Sequence, residues 1–216
     1  NAREAFNVYG FRLGGLANLG ARLGDFARAN RACAALERAQ VFAAAQTETE
    51  SGFFDAARAA VEIERATALD ALGHLEVARR RYERGVESFS RAGEWENAAS
   101  CAARLAGALA QSARLIPAIR AARRAIAIAE EIQSLESLLT PRAFLGYLLA
   151  LTGDYDGAAR EFAEARNAQE ELDGEAAPLY SQRGLWEAKA RWLSGRSEEA
   201  RELALENRRV CESLAP

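Results

Sequence analysis

Small residues recur at fixed distances from a set of turn residues, and this constrains the chain more than any other feature. Gly24, Gly73, Ala113, Gly153 and Gly195 stand about 40 to 49 residues apart. Five residues after each comes Ala29, Ala78, Ala118, Ala158 and Ala200; seven before each comes Ala17, Ala66, Ala106, Gly146 and Ala188. Alanine makes up roughly a quarter of the chain, so the first series alone would arise by chance about one time in a thousand. The physical reason for such a pattern is close packing: two antiparallel helices approach tightly only where small side chains meet, with bulkier neighbours filling the space beside them. Those neighbours are Leu16, Leu105 and Leu145, one residue before the small position, and Phe26, Leu75, Leu115 and Tyr155, two after the turn. The fifth unit is weaker, with Glu187, Arg191 and Ser197 at the corresponding places.

The clearest unit runs from Thr140 to Ala165. Thr140 is a good N-cap and Pro141 suits a first helical position, so a helix is expected to begin there. Leu145, Leu148, Leu149 and Leu151 keep one side apolar until Gly153, which can take the left-handed conformation that ends a helix. Asp154 then caps a second helix, in which Tyr155, Ala158, Phe162 and Ala165 form one face against the first. No run of alternating Val, Ile or Thr would make a strand, and Ala, Leu and Arg favour helix, so the fold class is all-α. About five hairpins, or about ten helices, are expected over residues 2–45, 52–91, 94–132, 140–172 and 175–214, as one continuous domain. Turns between them fall at 46–52, 92–94, 133–140 and 173–175. Pro117 and Pro178 are expected in first turns of helices. The chain begins at Asn1 and has no Met, which reads as a piece of a longer protein.

The pattern resembles the tetratricopeptide repeat (TPR), through Leu145-Gly146, Gly153-Asp154-Tyr155, Ala158, Phe162 and Ala165, and more weakly through Leu16-Ala17, Gly24-Asp25-Phe26 and Ala29. The spacing is longer than the common repeat and the terminal proline is missing between most hairpins. It is similar in this to the long-repeat arrays of kinesin light chains and of bacterial regulators and signalling ATPases. The resemblance implies a right-handed α-solenoid whose concave side is lined by the first helix of each hairpin and holds peptides.

The search for chemistry returns little. There is no phosphate-binding Gly-rich loop, no Cys-x-x-Cys and no His-Glu-x-x-His, so neither a cofactor nor a metal is expected and the chain does not read as an enzyme. His74, the one histidine, reads as a solvent-facing turn residue. Cys33, Cys101 and Cys211 are odd in number and widely spaced, which suits reduced, packed side chains and a cytoplasmic setting. A net charge of −3 makes no case for nucleic acid or anionic lipid, and no run is long enough to cross a membrane. The arginines at 79, 80, 81 and 84, and at 120, 123 and 124, stand among carboxylates and read as a solvated face.

On the expected concave side, six residues before each turn lie Asn18, Thr67, Gly107, Tyr147 and Lys189; three before lie Ala21, Asp70, Ala110, Ala150 and Trp192. The middle is small and smooth. A bound segment would be held by Asn18, Arg22, Asp70 and Gln111 toward one end and by Tyr147, Lys189 and Trp192 toward the other. The expected function is a non-catalytic scaffold or sensor that binds a protein or peptide. The alternative is a ligand-sensing regulatory segment of a larger bacterial transcription regulator or signalling ATPase, whose groove takes a small-molecule effector.

Overall fold

The computed structural model describes residues 31, 32, 34, 35, 38, 51–174 and 178–213. The expected first hairpin, with its Gly24 turn, lies almost wholly outside them. No described residue is in a strand; residues 31, 32, 34, 35 and 38 are helical, and eight further helices follow from Ser51 onward. They are α1 (Ser51–Ala71), α2 (Leu75–Ala92), α3 (Trp95–Gln111), α4 (Leu115–Glu131), α5 (Leu135–Leu151), α6 (Tyr155–Asp173), α7 (Ser181–Leu193) and α8 (Ser197–Ser213). The chain forms two compact units, residues 1–112 and 113–216. In the first, α2 packs on both α1 and α3. In the second, α5 packs on α4, α6 and α7, and α7 packs on α8.

The turns sit where the repeat places them. Gly73, Ala113, Gly153 and Gly195 all have positive φ, at 81°, 57°, 85° and 82°. The connections between hairpins turn the same way at Gly93, Gln133 and Gly174. A three-residue link with one left-handed residue reverses the chain while its N–H groups still reach back to the preceding helix, as Gly153 N–H does to Ala150 O and Asp154 N–H to Leu149 O. The Asp154 carboxylate then accepts from Gly157 N–H at 2.8 Å and caps α6 as expected.

The small positions are buried throughout both units: Ala66, Ala78, Ala106 and Ala118 are at 0% exposure, and Gly146, Ala158, Ala188 and Ala200 are buried with them. Gly146 shows how tight the crossing is. A Cβ built there would meet the Phe162 ring at 3.0 to 3.1 Å, closer than ordinary van der Waals contact. Phe162, Leu145 and Leu148 close the space around it.

Four expectations need correction. The helix expected at Thr140 begins at Leu135, where the Ser134 hydroxyl accepts from Ser137 N–H at 3.3 Å and Pro141 falls inside the helix. An interior proline costs roughly 3 kcal/mol; burying Leu138 and Leu139 on the added turns, at about 1.5 to 3 kcal/mol each, offsets it. Pro178 lies ahead of α7 in a non-helical stretch, where Leu179 is buried and the Pro178 carbonyl accepts from Gln169 Nε2 at 3.2 Å. Tyr155 does not pack in the α5–α6 seam. It is 39% exposed, and its hydroxyl donates to Leu193 O at the end of α7 at 3.0 Å. Leu151, the last of the apolar run, is also exposed.

The α5–α6 crossing makes a direct prediction. Ala158→Leu drives four-carbon bulk into the seam and should cost about 1 to 3 kcal/mol by overpacking; Phe162→Ala should cost about 3 to 5 kcal/mol through the cavity it leaves. Thermal melts of both variants check this. An unchanged midpoint for Ala158→Leu beside a lowered one for Phe162→Ala would place the crossing elsewhere.

Candidate binding faces

The first helices of hairpins present different surfaces in the two units. In residues 1–112 the face carried by α1 and α3 is polar. Gln111 Nε2 donates to Asp70 Oδ1 at 3.5 Å, so two of the expected site residues do meet. Thr67 Oγ1 receives Arg104 Nη1 at 3.1 Å and the Tyr82 hydroxyl at 3.2 Å, and donates to Ile63 O at 3.0 Å. Burial pushes the Asp70 carboxyl above the usual range, opposed by the Arg104 charge. Burial also pushes Tyr82 up to about 12. At Gly107 a Cβ would meet nothing within 4 Å, so the floor of this face is open. Asn18 and Arg22 lie outside the described residues.

In residues 113–216 the face carried by α5 and α7 is aromatic. Because α5 packs on α7, Lys189 comes to lie over Tyr147, with its Nζ 5.8 Å from the ring centroid. Trp192, one turn further along α7, is 64% exposed. The structure therefore brings Tyr147 and Lys189 together and leaves Trp192 open beside them. It also adds residues that a one-position-per-helix register misses. Phe144 meets Trp186 and Tyr147 in tilted ring pairs, with centroids 4.8 and 6.4 Å apart, and the first of these ties the two helices together. Leu151 and Leu185 are exposed on the same helices. The signal was present as two stripes, Phe144–Tyr147–Leu151 and Leu185–Lys189–Trp192, at the three- and four-residue steps of a helix face.

The ion pairs of α7 account for Glu187 in the fifth hairpin, at the place where the other hairpins carry Leu105 and Leu145. Glu187 is 3% exposed and pairs with Arg166 of α6 and, at 3.5 Å, with Arg191 of its own helix. Arg191 goes on to Glu199 of α8 at 3.3 Å. The buried carboxylate thus ties α7 to α6, and Arg191 extends the network to α8. Arg142 joins three helices from α5, reaching Glu130 of α4 at 2.5 Å and Glu161 of α6 at 3.1 Å.

Other candidates resolve as packing or solvent. His74 is exposed ahead of α2 and makes no side-chain cap. Arg79 and Arg80 pair with Glu76, Arg79 also with Glu83, and Arg81 and Arg84 with Glu62. Glu76 is held at about 2, chiefly by its hydrogen bond from Arg79. Cys101 is buried, and burial pushes its thiol up to about 12, which makes it inert as a nucleophile. Cys211 was expected to pack and is instead exposed, with its thiol 3.7 Å from Asn207 Oδ1 one turn earlier near the end of α8. Cys33 lies outside the described residues. No group of three or more His, Cys, Asp or Glu among the described residues is placed to hold a metal, and none of the described helices is long and apolar enough to cross a membrane.

No family model matches this chain, and no curated protein does. Solved structures do. A putative kinesin light chain with nearly identical TPR-like repeats from Podosopora anserina superposes with a TM-score of 0.66 at 19% identity, over 95% of this chain and 96% of that one. BtubC (BKLC) from P. vanneervenii gives 0.70 at 19% identity, over 94% and 83%. Aspartyl phosphate phosphatase F from Bacillus subtilis gives 0.69 at 14% identity, over 91% of this chain and 48% of that one. At these identities the likeness establishes the fold, an all-α TPR-like helical repeat.

Two outcomes test the internal assignments. Glu187→Ala leaves two guanidinium groups facing each other across a buried site; since Arg166 and Arg191 can partly turn to water, the loss should be roughly 1 to 3 kcal/mol, below that of a wholly buried pair. Urea unfolding of the variant measures it. For Cys101 the folded thiol titrates near 12 and the unfolded one near the ordinary value of 9, so the unfolded chain loses its proton first. The contribution of this thiol to stability is complete below pH 9 and falls as pH rises from 9 to 12. Cys101→Ala should flatten that part of the stability-against-pH curve.

Proposed function

We propose that this chain is a protein-interaction module that holds a partner segment on the α5–α7 face, with Tyr147, Lys189 and Trp192 as central contacts. The observation that carries the reading is the 64% exposure of Trp192 on a face already lined with rings. An indole left in water gives up the large area it could bury, and such side chains are enriched where binding energy concentrates. Lys189 has no carboxylate partner among the described residues and rests on the Tyr147 ring, which leaves its three N–H donors free for an incoming acceptor. Together they suit a partner that offers a bulky apolar side chain next to a carboxylate or backbone carbonyl. Asp70 and Gln111, with Arg104 and Thr67 beside them, form a separate polar contact face in residues 1–112, and Asn18 and Arg22 are proposed to extend it. The scaffold role is non-catalytic: a buried, strongly protonated Cys101 and an isolated, exposed His74 offer no nucleophile and base in reach of one another.

Selection from a random peptide display library against the purified chain tests this. The wild type should enrich peptides that pair an aromatic or large aliphatic residue with an acidic one, and the Tyr147→Ala, Lys189→Glu, Trp192→Ala triple variant, matched to the wild type in helicity, should bind them at least about 30-fold more weakly. Absence of enrichment by the wild type, or equal binding by the variant, rules the assignment out.

A further inference from the structure

A glycine inside a helix is less stable there than alanine, so its presence calls for a local reason. Of the glycines from Gly73 to Gly195, five have positive φ, and at four more an added Cβ would come to 3.0 Å or less from another atom. Gly107 has neither reason: it lies in the middle of α3 with ordinary helical backbone, and a Cβ there would meet nothing within 4 Å. It stands six residues before its turn, where the other described hairpins carry Thr67, Tyr147 and Lys189. A side chain is therefore missing from the first-helix face at this one place, and the space it would fill is open.

Four polar side chains frame that space. Arg104, one turn before Gly107, reaches across to α1 and donates from Nη1 to Thr67 Oγ1 at 3.1 Å; Gln111, one turn after it, donates from Nε2 to Asp70 Oδ1 at 3.5 Å. The guanidinium and the carboxylate make no direct ion pair: each is held by a neutral group of the opposite helix. The other N–H groups of Arg104 and the second oxygen of Asp70 have no partner among the described residues. Burial raises the Asp70 carboxyl and the Arg104 charge opposes it, so the two charges act on one another across the gap. Opposite charges held apart over bare helix, each with hydrogen-bonding capacity left over, are complementary to a ligand that carries both signs itself.

We infer that the α1–α3 face binds a free α-amino acid over Gly107, with the ligand carboxylate on Arg104 and its ammonium on Asp70. The inference rests on the reading of α1 and α3 as a polar contact face and names what that face takes. Thr67 and Asp70 are one turn apart on α1, about 5 to 6 Å, and this sets the separation of the two anchors. An α-amino acid carries its charges on one carbon, about 2.5 Å from nitrogen to carboxyl carbon, so with a hydrogen bond at each end it spans that separation. A longer amino acid, with its charges several carbons apart, overshoots it. The Thr67 hydroxyl and the Gln111 amide hold the two anchors in place, and the ligand backbone occupies the room left by the missing side chain.

Isothermal titration calorimetry of the purified chain with each of the standard free L-amino acids and glycine tests this. At least one should bind saturably with a dissociation constant below about 1 mM. Its N-acetyl and amide derivatives, each lacking one charge, and ε-aminocaproate should bind at least about tenfold more weakly, as should Asp70→Asn and Arg104→Gln variants matched to the wild type in helicity. Gly107→Leu should block binding while melting no lower than the wild type, because the added side chain meets no protein atom and suits a helix better. The Tyr147→Ala, Lys189→Glu, Trp192→Ala triple variant should bind the amino acid as the wild type does, which separates this site from the aromatic face. The proposal is overturned if no free amino acid binds, if Gly107→Leu or both charge variants bind like the wild type, or if the triple variant loses binding. Equal binding of the doubly capped derivative overturns it too, while leaving α1 and α3 as a contact face for peptide main chain.

Discussion

The closeness of paired helices at small residues is the constraint from which the rest of this structure follows. Where Gly146 faces Phe162 there is no room for even one further carbon without displacing the ring, and the alanines at equivalent places, Ala66, Ala106 and Ala188, are buried. Such seams rely on dispersion and excluded water over many short contacts, so they tolerate little change in volume. They also fix the distance between helix backbones. The aromatic residues of α5 and α7 can meet only because those helices are held side by side at that spacing.

Small-residue seams give little direction, because alanine faces look alike from one turn to the next. The ion pairs supply what the seams lack. Arg142, bound by Glu130 and Glu161, joins three helices at one point, and Glu187, bound by Arg166, ties α7 to α6 while Arg191 carries the network on to Glu199 of α8; a slip of one residue would leave the buried Glu187 without its partner. The penalty for a misplaced charge is larger than the gain from a correct one, so these pairs act mainly against alternative registers.

The two units carry different side-chain chemistry on their first-helix faces. Residues 1–112 carry a hydrogen-bonding face with an open floor at Gly107, and residues 113–216 carry an aromatic face with a single ammonium over a ring. The difference arises from side chains at equivalent repeat positions, Thr67 and Asp70 in one case and Tyr147, Lys189 and Trp192 in the other, on helices built by the same rules. A repeat fold permits this because the positions that make the seam and the positions that face outward do not overlap on the helix.

Local physical chemistry written along the chain was enough to determine the helical class, the places of the turns and the seam residues. Glycine at 73, 153 and 195 takes a backbone conformation that other residues resist, and Ala113 shows the same position occupied at some strain, so the turn register was readable without coordinates. The Tyr147–Lys189 pairing was readable for the same reason, since equal distance from a turn means equal height on neighbouring helices. The start of α5 was not. Thr140-Pro141 is a valid local start signal, and only the burial of Leu138 and Leu139 against other elements makes the earlier Ser134 cap prevail. The exposure of Trp192, the reach of Tyr155 to Leu193 O and the burial of Glu187 between two arginines were likewise decided by tertiary structure. Each depends on which side of a helix another helix covers, and on partners about 20 to 40 residues away in the chain, a separation at which helical periodicity carries no information.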